Sequence, residues 1–235
     1  MDTLRIQQEI LDVFEKNSIY SFPIDCFSLL RKYGYECLKY SDQNTEKRAT
    51  CLQVSDDAFR LKNKIYYNDT LQNCRIRFTL MHELGHHVLN HTGDSQQNEA
   101  DANYFASNIL APRIAIHYSE CKNANDVSHI FSMSFSAAEI AFNDYRRWRR
   151  YIAYHKMSVL DKDMYRHFLI AMRIGLSGTW NNVGIAAARF IISRVRKSAP
   201  YAAPGQDLLL IRILNIPTAF QWMPGCWVIL QNFDI

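Results

Sequence analysis

The chain has 235 residues, 48% of them hydrophobic and 21% charged, with a formal net charge of +4 at pH 7. That composition excludes a disordered, collagenous or coiled-coil chain, and the length suits one catalytic-sized domain with a smaller appendage. The slight positive charge falls well short of a dedicated nucleic-acid binder, and six scattered cysteines without Cys-x-x-Cys spacing read as reduced and mostly buried.

Met1-Asp2-Thr3-Leu4-Arg5 has no charged-then-apolar leader, which sets the expectation of a cytoplasmic protein. Leu4, Ile6, Ile10, Leu11 and Phe14 recur at helical spacing, and a second helix is predicted from near Pro23 to Tyr33, stopped by Gly34. The period then changes. Residues 35–40, 50–54 and 64–68 are short β-prone runs separated by Asp, Asn and Lys turns, and they predict a small antiparallel sheet.

From Leu71 to His91 there is no proline and one glycine, and Cys74, Phe78, Met81 and Val88 fall at helical intervals, so one long helix is predicted. A further helix runs from Ser95 to Leu110, where Ala111-Pro112 ends it, because proline disfavours helical geometry in the residue before it. Residues 125–131 read as a short helix. Ser136 with Glu139 reads as a capping box that opens a longer one, and the two together have the order of a helix-turn-helix.

The chemistry lies on the long helix. His82-Glu83-Leu84-Gly85-His86 sets two imidazoles four residues apart, which projects them from one face where they can share a metal ion. A catalytic zinc takes three protein ligands and keeps a fourth position open, so a third ligand must come from elsewhere. Leu89 and Thr92 stand where the longer zincin motif has its glycine and third histidine, which rules out that subclass.

Glu99 follows His86 by 13 residues across a Thr92-Gly93-Asp94-Ser95 turn that can reverse the chain. It ranks first as third ligand, with Asp101 and Asp94 as alternatives. Asn103, one helical turn after Glu99, is placed to accept the outer N–H of a ligand histidine and fix its tautomer. Glu83 is placed to take a proton from the water that such an ion activates.

These residues resemble the ImmA/IrrE family of zinc metallopeptidases. The likeness rests on Arg75-Ile76-Arg77-Phe78-Thr79-Leu80-Met81-His82-Glu83-Leu84-Gly85-His86. It continues in Glu99-Ala100-Asp101-Ala102-Asn103-Tyr104-Phe105-Ala106-Ser107-Asn108-Ile109-Leu110-Ala111-Pro112. It spans about residues 1–155. The resemblance implies zinc held by His82, His86 and Glu99, Glu83 as catalytic base, and a gluzincin-like α+β zincin domain followed by a helical segment. It further implies an endopeptidase that cleaves one cytoplasmic protein, the helix-turn-helix repressor of a phage or integrative element, as an anti-repressor. The alternative is a metal-dependent regulator that binds protein or DNA without hydrolysis.

The expected organisation is a metallopeptidase domain over residues 1–122, a helical extension over 123–165 and a tail over 166–235. That tail carries seven Lys+Arg against two Asp+Glu and does not match the family pattern. Its apolar stretch over residues 208–230 is broken by Arg212, Asn215, Pro217, Gln221 and Pro224, so no membrane span is expected. Arg146, Arg147, Arg149 and Arg150 spread around a helix with Trp148 turned inward, which argues for a solvated face over direct nucleic-acid binding. His87 and His91 read as surface or core histidines. Tyr66, Tyr67, His117 and Tyr118 are considered for oxyanion or groove roles without a choice among them, and residues 50–54 are the expected sheet edge for substrate pairing by analogy to other zincins.

Overall fold

Side-chain caps mark where most helices begin. In the computed structural model, which describes residues 2–93 and 95–175, Asp2 opens α1 (Thr3–Asn17) and Asp25 opens α2 (Cys26–Lys32). Each carboxylate accepts a backbone N–H three residues on, at 3.1 and 2.9 Å, satisfying donors that the first helical turn leaves unpaired. Gly34, at φ 81°, then turns the chain into strand β1 (Glu36–Lys39).

Residues 50–54, expected as a strand, form the second half of helix α3 (Thr45–Val54). Asn44 caps this helix by accepting from the Lys47 N–H at 2.9 Å, and Thr50 Oγ1 donates to the Glu46 carbonyl. The β-propensity of a five-residue run yields to a capped helix that buries Cys51 against Tyr40 and Tyr66.

Strand β2 (Ala58–Leu61), absent from the expected elements, joins β3 (Lys64–Tyr67) through a two-residue turn in which Lys62 has φ 57°. The strand order is β1-β3-β2. β2 runs antiparallel to β3, but β1 runs parallel to it, so the sheet is mixed and not antiparallel as expected. The reason is the intervening α3, which carries the chain across and lets β3 return in the direction of β1. Both β1 and β2 are sheet edges.

The two central helices are α4 (Asn73–Val88) and α5 (Gln96–Leu110), the latter capped by Ser95. Leu80, Met81 and Leu84 of α4 and Phe105, Ala106 and Ile109 of α5 are fully buried, each large side chain stabilising the fold by about 1.5–3 kcal/mol. Gly85 lets the two helices approach closely: a Cβ there would lie 3.0 Å from Phe105 Cδ1 and 3.3 Å from the Ala102 backbone.

Three helices follow, α6 (Arg113–Tyr118), α7 (Ala124–Phe131) and α8 (Phe135–Tyr154). The expected capping box at Ser136 and Glu139 does not form. Ser134 is the cap instead, its hydroxyl accepting from the Ala137 N–H at 3.3 Å, which places Ser136 inside the first turn while Met133 and Ala138 become buried. Trp148 is buried, and Arg146, Arg147, Arg149 and Arg150 are exposed around it.

Helix α9 (Val159–Gly175) runs through residue 166, where the tail was expected to begin. Arg113 bridges it to the rest of the fold, donating to Asp161 at 2.7 Å, while Trp148 Nε1 donates to the same carboxylate at 3.1 Å. His167 Nε2 donates to the Ile19 carbonyl at 2.7 Å, and Phe168 packs edge-on against Phe14. The remainder of the expected tail, including residues 208–230, lies outside the described residues. Among the described residues no helix is long and apolar enough to cross a membrane.

Candidate metal centre

Residues 82 and 86 of α4 project from one face because the helix turns every 3.6 residues, and their side chains converge. His82 Nε2 and His86 Nε2 lie 3.0 Å apart. From α5, Glu99 brings Oε2 to 3.3 Å from His82 Nε2 and Oε1 to 3.2 Å from His86 Nε2. The close α4–α5 approach at Gly85 and Ala102 puts Glu99, three residues before Ala102, within reach. Among the described residues these three form a group whose ligand atoms all lie within 4.8 Å of one another.

The outer nitrogens decide what the inner ones offer. Asn103 Oδ1, a pure acceptor, lies 3.0 Å from His82 Nδ1, so His82 carries its proton there and turns an Nε2 lone pair inward. This is the role expected of Asn103. On the other side His86 Nδ1 lies 3.1 Å from His91 Nδ1. Donation from His86 to His91 leaves His86 Nε2 bare as well. Burial, and after it the neighbouring His82, holds the pKa of His86 below its ordinary value, favouring the neutral ring that coordinates metal.

With both rings donating outward, two imidazole lone pairs and a carboxylate face one another within hydrogen-bond distance, an arrangement that a cation among them stabilises. Two nitrogens and one carboxylate are a donor set of the His2Glu type, which suits a divalent metal. Asp101 is held by Gln97 Nε2 at 2.6 Å and is not among the three converging ligands, and Asp94 lies outside the described residues.

Glu83 does not join the ligand set; its carboxyl is pushed up from 4.5 to about 7, chiefly by burial, with Arg60 drawing it down and Glu99 raising it. It lines a groove of about 600 Å³ together with His82, His86, Glu99 and residues 58–60 of strand β2. Residues 41–143, from α3 into the first half of α8, match the family model of the IrrE N-terminal-like domain, Peptidase_M78. Over that span the chain resembles an IrrE N-terminal-like domain. No curated protein and no solved structure matches it. All four candidate site residues of the IrrE-like domain lie within the matched span, and the family is one of metallopeptidases.

Two residues of the groove escaped the sequence reading. His91 was expected as an ordinary surface or core histidine, yet Asn90 at φ 55° folds the chain back over the end of α4, with the His91 N–H donating to the His86 carbonyl at 3.0 Å. Asparagine just past a helix is a known signal for this left-handed turn, and it was there to be read. The second is Arg60, on a strand the sequence did not reveal. His87 stays outside the groove, its Nδ1 sharing a hydrogen bond with Tyr35 Oη at 2.8 Å. Tyr66, Tyr67, His117 and Tyr118 also lie away from it; Tyr66 stacks on Phe59, and Tyr118 donates to the Tyr165 carbonyl.

Proposed function

We propose that the protein is a zinc-dependent endopeptidase of gluzincin type, with His82, His86 and Glu99 as the metal ligands and Glu83 as the general base. The observation that carries this is the inward convergence of three ligand atoms beside the half-buried Glu83 carboxyl in one groove. Zinc, when held there, supplies Lewis acidity: it polarises the scissile carbonyl and brings water toward ionisation near pH 7.

The chain's own residues do the rest. Glu83, in its ionised form, accepts a proton from the attacking water and returns it to the departing amine. Asn103 and His91 hold the two imidazoles in the tautomer that leaves Nε2 free. Strand β2 lines the groove, and as a sheet edge it has outer backbone groups able to pair with an extended substrate chain. That edge replaces residues 50–54, which are helical.

The resemblance to ImmA/IrrE peptidases extends the proposal to the substrate: a helix-turn-helix repressor of a mobile element, cut inside the cell. The test is to incubate the zinc-loaded protein with the repressor encoded beside it and map the fragments by mass spectrometry. One discrete cut, lost in Glu83→Gln while zinc content is retained, is the expected result. The same fragments from Glu83→Gln defeat the assignment of the base.

A further inference from the structure

Two guanidinium groups line the groove, and they are held differently. Arg75 is neutralised by Asp57, its Nε donating to Oδ1 at 3.0 Å and a terminal nitrogen to Oδ2. Arg60 forms no ion pair among the described residues, and its one side-chain hydrogen bond there runs from Nη1 to Tyr35 Oη at 3.1 Å. The Tyr35 hydroxyl has a single proton. With Arg60 always a donor, the Tyr35 oxygen accepts from it while sharing a hydrogen bond with His87 Nδ1 at 2.8 Å, so the guanidinium is anchored through two side chains, neither of them an anion.

This anchoring aims the charge. Ala58 and Arg60 share one face of β2 by strand alternation, while Phe59 on the other face stacks on Tyr66 in the cluster below α3. Arg60 therefore faces α4, on the wall of the groove that also holds Glu83.

Glu83 returns its proton to the departing amine, so the wall beside Glu83 meets the residue that supplies that amine. The charge balance leaves the same group unmatched. A dication on the three ligands is balanced by Glu83 and Glu99, and Arg75 is balanced by Asp57, which leaves the Arg60 charge over. A cation held in place without its own anion is suited to take one from a ligand.

We infer that Arg60 is a carboxylate-binding subsite, and that the substrate presents an acidic side chain on the amine side of the scissile bond. The inference rests on the peptidase reading and names its substrate preference.

The experiment measures binding of peptide hydroxamates to the zinc-loaded full chain, the hydroxamate serving as the metal-binding head. Three compounds carry, directly after the head, a glutamate with an amidated end, a glutamine with an amidated end, or a glutamine that ends the chain as a free carboxylate. The glutamate compound is expected to bind about tenfold more tightly than the glutamine amide, as a charge-assisted hydrogen bond implies. A gain confined to the glutamine with a free chain end overturns the inference, and with it the endopeptidase reading in favour of removal of a terminal residue.

The preference is expected to fall to about one in Arg60→Gln, to weaken in Tyr35→Phe, which keeps the charge but releases its anchor, and to reverse toward a lysine compound in Arg60→Glu. Ratios taken within each variant are independent of any loss of folded protein, and the wild-type ratio stands without a variant. Equal affinities in the wild type overturn the inference alone, including the case where Arg60 serves the reacting carbonyl and lowers turnover without charge preference. Failure of all three compounds to bind, with zinc retained, overturns the inference together with the peptidase reading.

Discussion

Glu83 is built at a cost to the fold, and removing its charge is expected to stabilise the metal-free protein. Burial moves its carboxyl from 4.5 to about 7, so the folded state favours the protonated form while the unfolded chain ionises earlier. Below the unfolded value both states are protonated and nothing is lost. As pH rises from 4.5 toward 7 the folded protein loses stability, and above 7 the loss is complete. At about 1.4 kcal/mol per tenfold change in acidity, the loss is under about 1 kcal/mol at pH 5 and about 3 kcal/mol at pH 8. In Glu83→Gln this pH-dependent loss is absent. The assay is urea unfolding of both proteins after chelation, at pH 5 and at pH 8, with slopes checked for equality. The amide carries its own burial cost, but that cost is the same at both pH values and cancels in the comparison. The stability of the variant relative to wild type should therefore rise by about 2 kcal/mol between the two pH values. A difference that stays constant, or shrinks toward pH 8, refutes the reasoning that burial of an ionisable carboxyl sets the state of this residue.

Glu99→Ala is expected to weaken zinc binding by at least about a hundredfold in chelator competition, whereas Asp101→Ala leaves it within about twofold; equal losses would remove the distinction between them. His91→Ala should weaken zinc about tenfold, with partial rescue by His91→Asn, whose side-chain oxygen can again accept from His86 Nδ1; an unchanged affinity would show that the imidazole contact is idle. Gly85→Ala places a Cβ against Phe105 and the Ala102 backbone, so despite the better helix propensity of alanine the variant should lose about 1–2 kcal/mol in thermal unfolding and bind zinc more weakly as α5 is pushed away. A gain in both would mean that the helices have room to spare.

Much of the candidate metal centre is legible in the sequence because its determinants are local. The four-residue spacing of His82 and His86 places both rings on one face of any α-helix. The short link to Ser95, a strong cap, brings a second helix back alongside the first, and Glu99 and Asn103 then fall one turn apart on its near side. Gly85 explains why that hairpin closes tightly enough for a carboxylate to meet two imidazoles. The order of α4 and α5 and the buried Trp148 amid exposed arginines were likewise set by periodicity within single elements.

What tertiary structure alone decided are the features made by residues distant in the chain. Residues 50–54 have strand-like composition, yet they become helix because Cys51 is buried against Tyr40 and Tyr66, and the edge strand that lines the groove is the run Ala58–Leu61 paired to β3. The parallel pairing of β1 with β3 likewise depends on where α3 carries the chain. Arg60 gains its place in the groove only through Tyr35, 25 residues earlier, and His87, 27 residues later. Hydrogen-bond partners so far apart leave no period in the sequence, whereas a helix face repeats every turn, and for that reason the ligands could be read and the wall of the groove could not.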